Sequence, residues 1–153
     1  MEVYLLRHGI AEDGYPDSAR ALTAEGKEKL RKVLKRSGAR PSLIISSPYR
    51  RALETAEIAA EVLEYSGQIE RAQALTPDAS APAVWEEIRI RKNEDAILLA
   101  SHEPLMSATA AFLLGAPGVL VDMKKAALVR IDVDRFGPRP AGVLKWMLTP
   151  AVA

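Results

Sequence analysis

The chain of 153 residues holds only two histidines, and each follows an apolar run. His8 comes after Val3-Tyr4-Leu5-Leu6 and Arg7, and His102 after Ala96-Ile97-Leu98-Leu99-Ala100 and Ser101. A third run, Leu43-Ile44-Ile45, ends in Ser46-Ser47-Pro48 and delivers Arg51 a few residues on. Short apolar runs bounded by turn residues read as buried strands of a parallel sheet. In open α/β sheets the ligand site lies beyond the carboxyl ends of such strands. Two imidazoles and two guanidiniums are therefore expected on one rim. Guanidinium forks match phosphate oxygens bidentately and keep their charge. An imidazole with one free ring nitrogen can accept a phosphoryl group, and cations beside it favour its neutral form. Arg51 is also expected in the first turn of a helix, where free N–H groups favour an anion. The combination points to phosphate chemistry, with Arg7, His8, Arg51 and His102 as the catalytic set.

Other readings of the same residues are open. A histidine after a strand can be a structural hydrogen-bonder. Two histidines could bind zinc only with a carboxylate from Glu12, Asp13, Asp17 or Glu103, because catalytic zinc takes three protein ligands. Ser47 reads as a helix N-cap rather than a nucleophile, and Arg50 as a solvated neighbour of Arg51. Trp85 and Trp146 read as core anchors. Lys124-Lys125 reads as a solvated pair on the rim, with an anionic partner as the alternative.

The elements that must position these groups alternate along the chain. Gly9 to Leu22 is a polar loop carrying Gly14, Pro16 and Asp17. Thr23 is expected to cap a helix with a Leu30, Val33, Leu34 stripe that stops at Gly38. After the Leu43–Ile45 strand, Ser47 as cap and Pro48 at the first helical position open a helix burying Ala52, Ala56, Ala59, Ala60 and Leu63. Gly67 to Pro82 is looser. A helix over 83–91, the strand over 96–100 and a helix over 104–114 follow. The tail reads as two strands, 127–133 and 143–148, joined through Gly137-Pro138. The expected fold class is α/β: a three-layer sandwich with a mostly parallel mixed sheet and helices on both faces.

Bulk properties narrow the classes further. The length suits one domain, residues 1–153, with a core that needs no staples. With 21 basic against 20 acidic residues there is no polyanion-binding field, so nucleic acid is not an expected partner. The chain has no cysteine, which excludes disulfides and thiolate metal sites. No apolar run approaches the ~20 residues of a membrane span, and no signal peptide is visible. A cytoplasmic protein acting without metal or cofactor is the expectation.

Leu6-Arg7-His8-Gly9 resembles the Arg-His-Gly motif of the histidine phosphatase superfamily, which has the phosphoglycerate mutase-like fold. Ser47-Pro48-Tyr49-Arg50-Arg51-Ala52-Leu53-Glu54-Thr55-Ala56 is similar to its second motif, and Ser101-His102-Glu103-Pro104 to its third. Arg20-Ala21-Leu22-Thr23-Ala24-Glu25-Gly26 and Trp146-Met147-Leu148-Thr149-Pro150 resemble the small SixA-type phosphohistidine phosphatases. The resemblance spans the chain with the motifs in family order. It implies that His8 is transiently phosphorylated while Arg7, Arg51 and His102 hold the phosphoryl group, and that Arg20 adds a substrate contact. Larger members protonate an oxygen leaving group with an acidic residue; here Asp78 is a candidate on position, with an ordinary turn residue as the alternative. Phosphohistidine releases imidazole, which leaves well once protonated, so a weak or absent acid favours a histidine-phosphorylated protein as substrate. A small-molecule phosphomonoester, or a phosphate-binding module without turnover, are the alternatives.

Overall fold

A computed structural model describes residues 1–153. Six strands form one sheet: β1 (Glu2–Arg7), β2 (Leu43–Ser46), β3 (Ile69–Arg71), β4 (Ala96–Ser101), β5 (Leu128–Asp132) and β6 (Val143–Leu148). Their order across the sheet is β3-β2-β4-β1-β5-β6. The first four run parallel to their neighbours, and β5 and β6 add an antiparallel edge. The fold is thus the expected α/β sandwich with a mixed, mostly parallel sheet.

The period-two alternation of the central strands divides the core into two layers. Val3 and Leu5 of β1 and Ile97 and Leu99 of β4 face one layer, with Trp85 of α3 (Ala81–Arg89) and Met106 of α4 (Leu105–Leu113). Tyr4 and Leu6 of β1 and Leu98 and Ala100 of β4 face the other, with Leu30 of α1 (Ala24–Ser37) and Ala56 and Ala59 of α2 (Arg50–Val62). Because both faces are covered, these strands read as continuous apolar runs rather than alternating ones. Thr23 caps α1 by accepting from the Gly26 N–H at 2.9 Å, and Gly38 ends it at φ +64°.

Three expectations are corrected. The looser region contains β3, a three-residue edge strand paired with β2, and a 3-10 turn at Gln73–Leu75. Ile69-Glu70-Arg71 carries one apolar residue, so its pairing comes from the exposed edge of β2 and not from local pattern. Helix α2 starts at Arg50, not Pro48: Tyr49 is the N-cap residue, and Ser47 is turned to other use. Trp85 is a core anchor, but Trp146 is only half-buried on edge strand β6, tilted against Tyr4 with ring centroids 6.0 Å apart.

The chain leaves β1 tightly. A Cβ on Gly26 would lie 2.3 Å from the Ile10 carbonyl oxygen, and one on Gly9 would lie 2.9 Å from Leu30 Cδ1. The loop after β1 therefore rests directly on the first turn of α1. Gly26→Ala is expected to destabilise the protein by about 1–3 kcal/mol through backbone overpacking, although alanine favours helices. A thermal melt of this variant at or above the wild-type midpoint would show that the contact can relax freely.

Candidate active site

The register of the sheet brings the two histidines together. Arg7 pairs with Ser101 at the last rung between β1 and β4, and the His8 N–H continues the ladder to the Ser101 carbonyl at 2.9 Å. On the other side of β4, the Ser47 N–H donates to the Ala100 carbonyl at 3.0 Å. His8 and His102 thus leave neighbouring strands at one level, with Ser47 one rung before them on the third strand. The imidazoles meet edge to face with centroids 5.2 Å apart. Arg51, one residue into α2, donates from Nε to His8 Nε2 at 3.3 Å. The structure gathers Arg7, His8, Arg51 and His102 on one rim, with His8, Arg51 and His102 all buried.

The His8 tautomer follows from its partners. Nδ1 lies 2.7 Å from the Gly9 carbonyl, which can only accept, so Nδ1 carries the proton. Nε2 is left with its lone pair, and the Arg51 Nε–H points at it. Gly9 is held in turn: its N–H donates to Thr55 Oγ1 at 3.3 Å, and the Thr55 hydroxyl donates to the Arg51 carbonyl at 2.7 Å. Burial, reinforced by the charges of Arg51, Arg7 and Lys125, pushes the His8 pKa down to about 4. His102 is pushed down to about 3 by burial, then by His8 and Arg51. Both rings are neutral at neutral pH.

His102 Nε2 lies 2.8 Å from Ser47 Oγ, which also accepts from the Tyr49 N–H at 3.2 Å. When Ser47 donates its hydroxyl proton to Nε2, His102 Nδ1–H becomes a buried donor with no protein partner. Arg7 donates from Nη1 to the Met123 carbonyl at 2.8 Å, while its buried Nε has no partner. Unpaired buried donors among cations are what an oxyanion would satisfy. Tyr49 closes the wall, its ring centroid 5.2 Å from that of His102, edge to face, and 5.2 Å from Arg51 Cζ above it.

The loop after β1 contributes a residue that sequence reasoning had considered only as a turn residue and zinc ligand. Asp17 accepts from Arg51 Nη2 at 3.1 Å through its carboxylate and from Arg51 Nη1 at 2.8 Å through its carbonyl. Its other oxygen accepts from Arg20 Nη1 at 2.9 Å, and Arg20 Nε donates to the Glu12 carbonyl. Arg20 therefore reaches the cluster through Asp17. Hydrogen bonds from Arg20 and then Arg51 hold the Asp17 carboxyl below its ordinary value. Ser47, Tyr49 and Thr55 were also missed as site residues; only their place inside the second motif could have signalled them.

Other candidates fall away from the cluster. Asp78 is exposed in the turn before α3 and makes no hydrogen bond or ion pair. Arg50 is exposed and pairs loosely with Glu54 at 3.8 Å. No group of three or more His, Asp or Glu side chains is arranged to hold a metal ion, so the two imidazoles lack the third ligand that zinc would need.

Residues 3–76 match the model of the histidine phosphatase superfamily (branch 1). The fold superposes on the protein histidine phosphatase SixA complexed with tungstate, with a TM-score of 0.87, 26% identity, and 99% and 98% of the two chains covered. The family match covers just under half of the chain, and the fold shared with this histidine phosphatase covers nearly all of it. A proposed phosphohistidine phosphatase SixA from Agrobacterium tumefaciens shares the fold at a TM-score of 0.82 and 22% identity, covering 97% of each chain. The alpha-ribazole phosphatase of Shigella flexneri does so at 0.75 and 18%, covering 100% of this chain and 98% of that one. No curated protein sequence is a significant match.

The depressed imidazole pKa values set a pH dependence. An unfolded chain protonates its histidines near 6.5, whereas folded His8 stays neutral to about 4 and His102 to about 3. As pH falls below 6.5 the unfolded state binds protons that the folded state does not, so stability declines towards pH 4. Above 6.5 the histidines contribute no pH dependence. In an NMR titration both rings should remain neutral at pH 5.5; a His8 midpoint near 6.5 would contradict the assigned environment.

Proposed function

We propose that this protein is a histidine phosphatase that works without metal through a phosphohistidine intermediate on His8, and that its substrate is phosphohistidine in a partner protein. The observation that carries this reading is the tautomer of His8, whose proton is held on Nδ1 by Gly9 while Nε2 keeps a lone pair beside Arg51. In the first step Nε2 attacks phosphorus, the bond from phosphorus to the leaving group breaks, and the leaving group departs with a proton. In the second, water attacks phosphorus and forms the new P–O bond, the P–N bond breaks and returns its electron pair to His8 Nε2, and inorganic phosphate leaves with the protons of the water. Arg7 and Arg51 supply fixed positive charge to the phosphoryl oxygens, and His102 supplies a neutral donor from Nδ1. The Arg51–Asp17 contacts then exchange for contacts to phosphoryl oxygens, a change made easier because the Asp17 side chain is 57% exposed. Tungstate is a tetrahedral oxyanion like phosphate, and its complex with the similarly folded SixA supports an oxyanion site.

The leaving group is the point on which substrates divide. An alkyl phosphate needs a proton donated in the transition state, a contribution of ~10²–10⁴ in rate. The carboxylate nearest Arg51 is Asp17, and its two arginines favour the ionised form, the wrong state for a general acid. Asp78 makes no hydrogen bond or ion pair with a site residue. This favours phosphohistidine, whose imidazole leaves readily once protonated. A phosphomonoesterase is the second reading, since the fold is shared with an alpha-ribazole phosphatase.

His8→Ala should keep the fold, lose turnover by more than about 10³-fold, and fail to trap an acid-labile, base-stable phosphoryl label. Equal labelling of wild type and variant would move the acceptor elsewhere. Chelator treatment should leave the wild-type rate unchanged.

With one preparation offered both substrates, phosphohistidine should be turned over faster than a sugar phosphate, by at least ~10²-fold in kcat. The opposite order would favour the esterase reading, and loss of that ester activity in Asp78→Asn would then identify the acid.

A further inference from the structure

A cleft of about 730 Å³ opens beside Arg7, and Arg7, Lys29, Lys32, Lys124 and Lys125 all line it. No carboxylate side chain is among its lining residues, in a chain whose net charge is only +1. Its apolar floor includes Ile10 and Ala126, and its outer wall is the segment around Pro150, tied to Lys32 Nζ through the Pro150 carbonyl at 3.1 Å. Lys125 has no ion-pair partner. Lys29 and Lys124 pair only with Glu25 and Asp122, in solvated contacts of 3.0 and 3.1 Å that another carboxylate can replace at little cost.

The turn carrying two of these lysines is fixed to the active site. Ala126 is buried at φ +65°, a conformation that L-residues adopt only when their surroundings impose it. Its N–H donates to the His8 carbonyl at 3.2 Å, the Arg7 N–H donates to the Ala127 carbonyl at 3.1 Å, and Arg7 Nη1 holds the Met123 carbonyl. The strained turn therefore keeps Lys124 and Lys125 against the end of β1, next to the residue proposed to receive phosphate. A small phosphorylated molecule bound at His8 would leave most of this cleft unused. A phosphoprotein would not.

We propose that the lysine-lined cleft is a docking surface for an acidic segment of the phosphorylated protein substrate, placing its phosphohistidine over His8. This rests on the assignment of a phosphohistidine protein as substrate and adds the charge that such a protein must carry beside its phosphorylated residue. An acidic protein segment fits better than a nucleic acid. The cleft is a compact pocket with an apolar floor rather than a stripe tracking a backbone, and no aromatic side chain lines it for base stacking. Electrostatic complementarity of this kind acts on encounter and register, so it should be strongly salt-sensitive.

The test is binding of a fluorescein-labelled peptide with an unphosphorylated histidine flanked by glutamates, read by anisotropy at low and high salt. Wild type should bind it in a salt-sensitive manner and ignore the lysine-flanked counterpart. The variant K29Q/K32Q/K124Q should bind at least about tenfold more weakly, yet keep its kcat/KM for a chromogenic phosphomonoester within about threefold, which also shows that it is folded. Equal binding by variant and wild type would overturn the proposal. So would an RNA oligonucleotide that binds wild type more tightly than the peptide and loses as much affinity in the variant. Binding is read without turnover, so the two ideas fail separately. Peptide binding without hydrolysis of phosphohistidine removes the substrate assignment, whereas hydrolysis of phosphohistidine with no effect of the lysines on binding removes the docking surface.

Discussion

The parallel register between β1 and β4 is the constraint on which the site depends. Arg7 opposite Ser101 means that the next residue on each strand, His8 and His102, leaves the sheet at the same height. The ladder bond from the His8 N–H to Ser101 locks that height, and Ser47 repeats the arrangement one strand over. A slip of one residue would turn either imidazole to the opposite face. The register is held by burial on both sides, since alternate residues of each strand belong to different core layers. Stability of the core and alignment of the chemistry are thus the same property of the sheet.

Electrostatics at the rim follow from that alignment. Four ionisable groups are pressed together in a largely buried place, and the outcome is division of labour. The guanidiniums carry the charge, and both imidazoles are held in their neutral, singly protonated form. A neutral His8 keeps a lone pair on Nε2, as the proposed role of phosphoryl acceptor requires, whereas a charged one does not. Asp17 balances Arg51 and Arg20 from the solvent side, so the free protein is not left with an uncompensated cationic pocket. The backbone around Gly9 supplies the remaining part, because a carbonyl acceptor at Nδ1 decides which ring nitrogen stays free.

Substrate choice depends on what surrounds this centre rather than on the centre itself. The same fold carries a protein histidine phosphatase and an alpha-ribazole phosphatase among its structural neighbours. In this chain the carboxylate that reaches the cluster is held ionised by two arginines, and the neighbouring cleft is cationic. Both features fit the proposed substrate, with its good leaving group and acidic body. Edge strand β6 runs directly into the Thr149-Pro150 segment that walls the cleft, whereas β3 lies at the opposite edge of the sheet.

The residue order alone determined that three apolar runs would be buried strands ending in Arg7-His8, Ser46-Ser47 and Ser101-His102, and that Arg51 would open a helix. Runs with no polar interruption can only be satisfied between two covered faces, so the fold class and the gathering of Arg7, His8, Arg51 and His102 at one candidate site were legible. Strand β3 was not, because a single apolar residue in Ile69–Arg71 has no period and its partner lies on distant β2. The partnerships of Ser47, Thr55 and Asp17 were not legible either. A serine before a helix has the same local signature whether it caps the helix or, as here, bonds His102. An aspartate in a Pro-Asp-Ser turn looks like any other until the loop folds back over Arg51. Hydrogen bonds between residues 34 or 55 positions apart leave no trace in local pattern. Only the tertiary structure could decide which nitrogen of His8 is free, because that depends on which acceptor the packed loop presents to the ring.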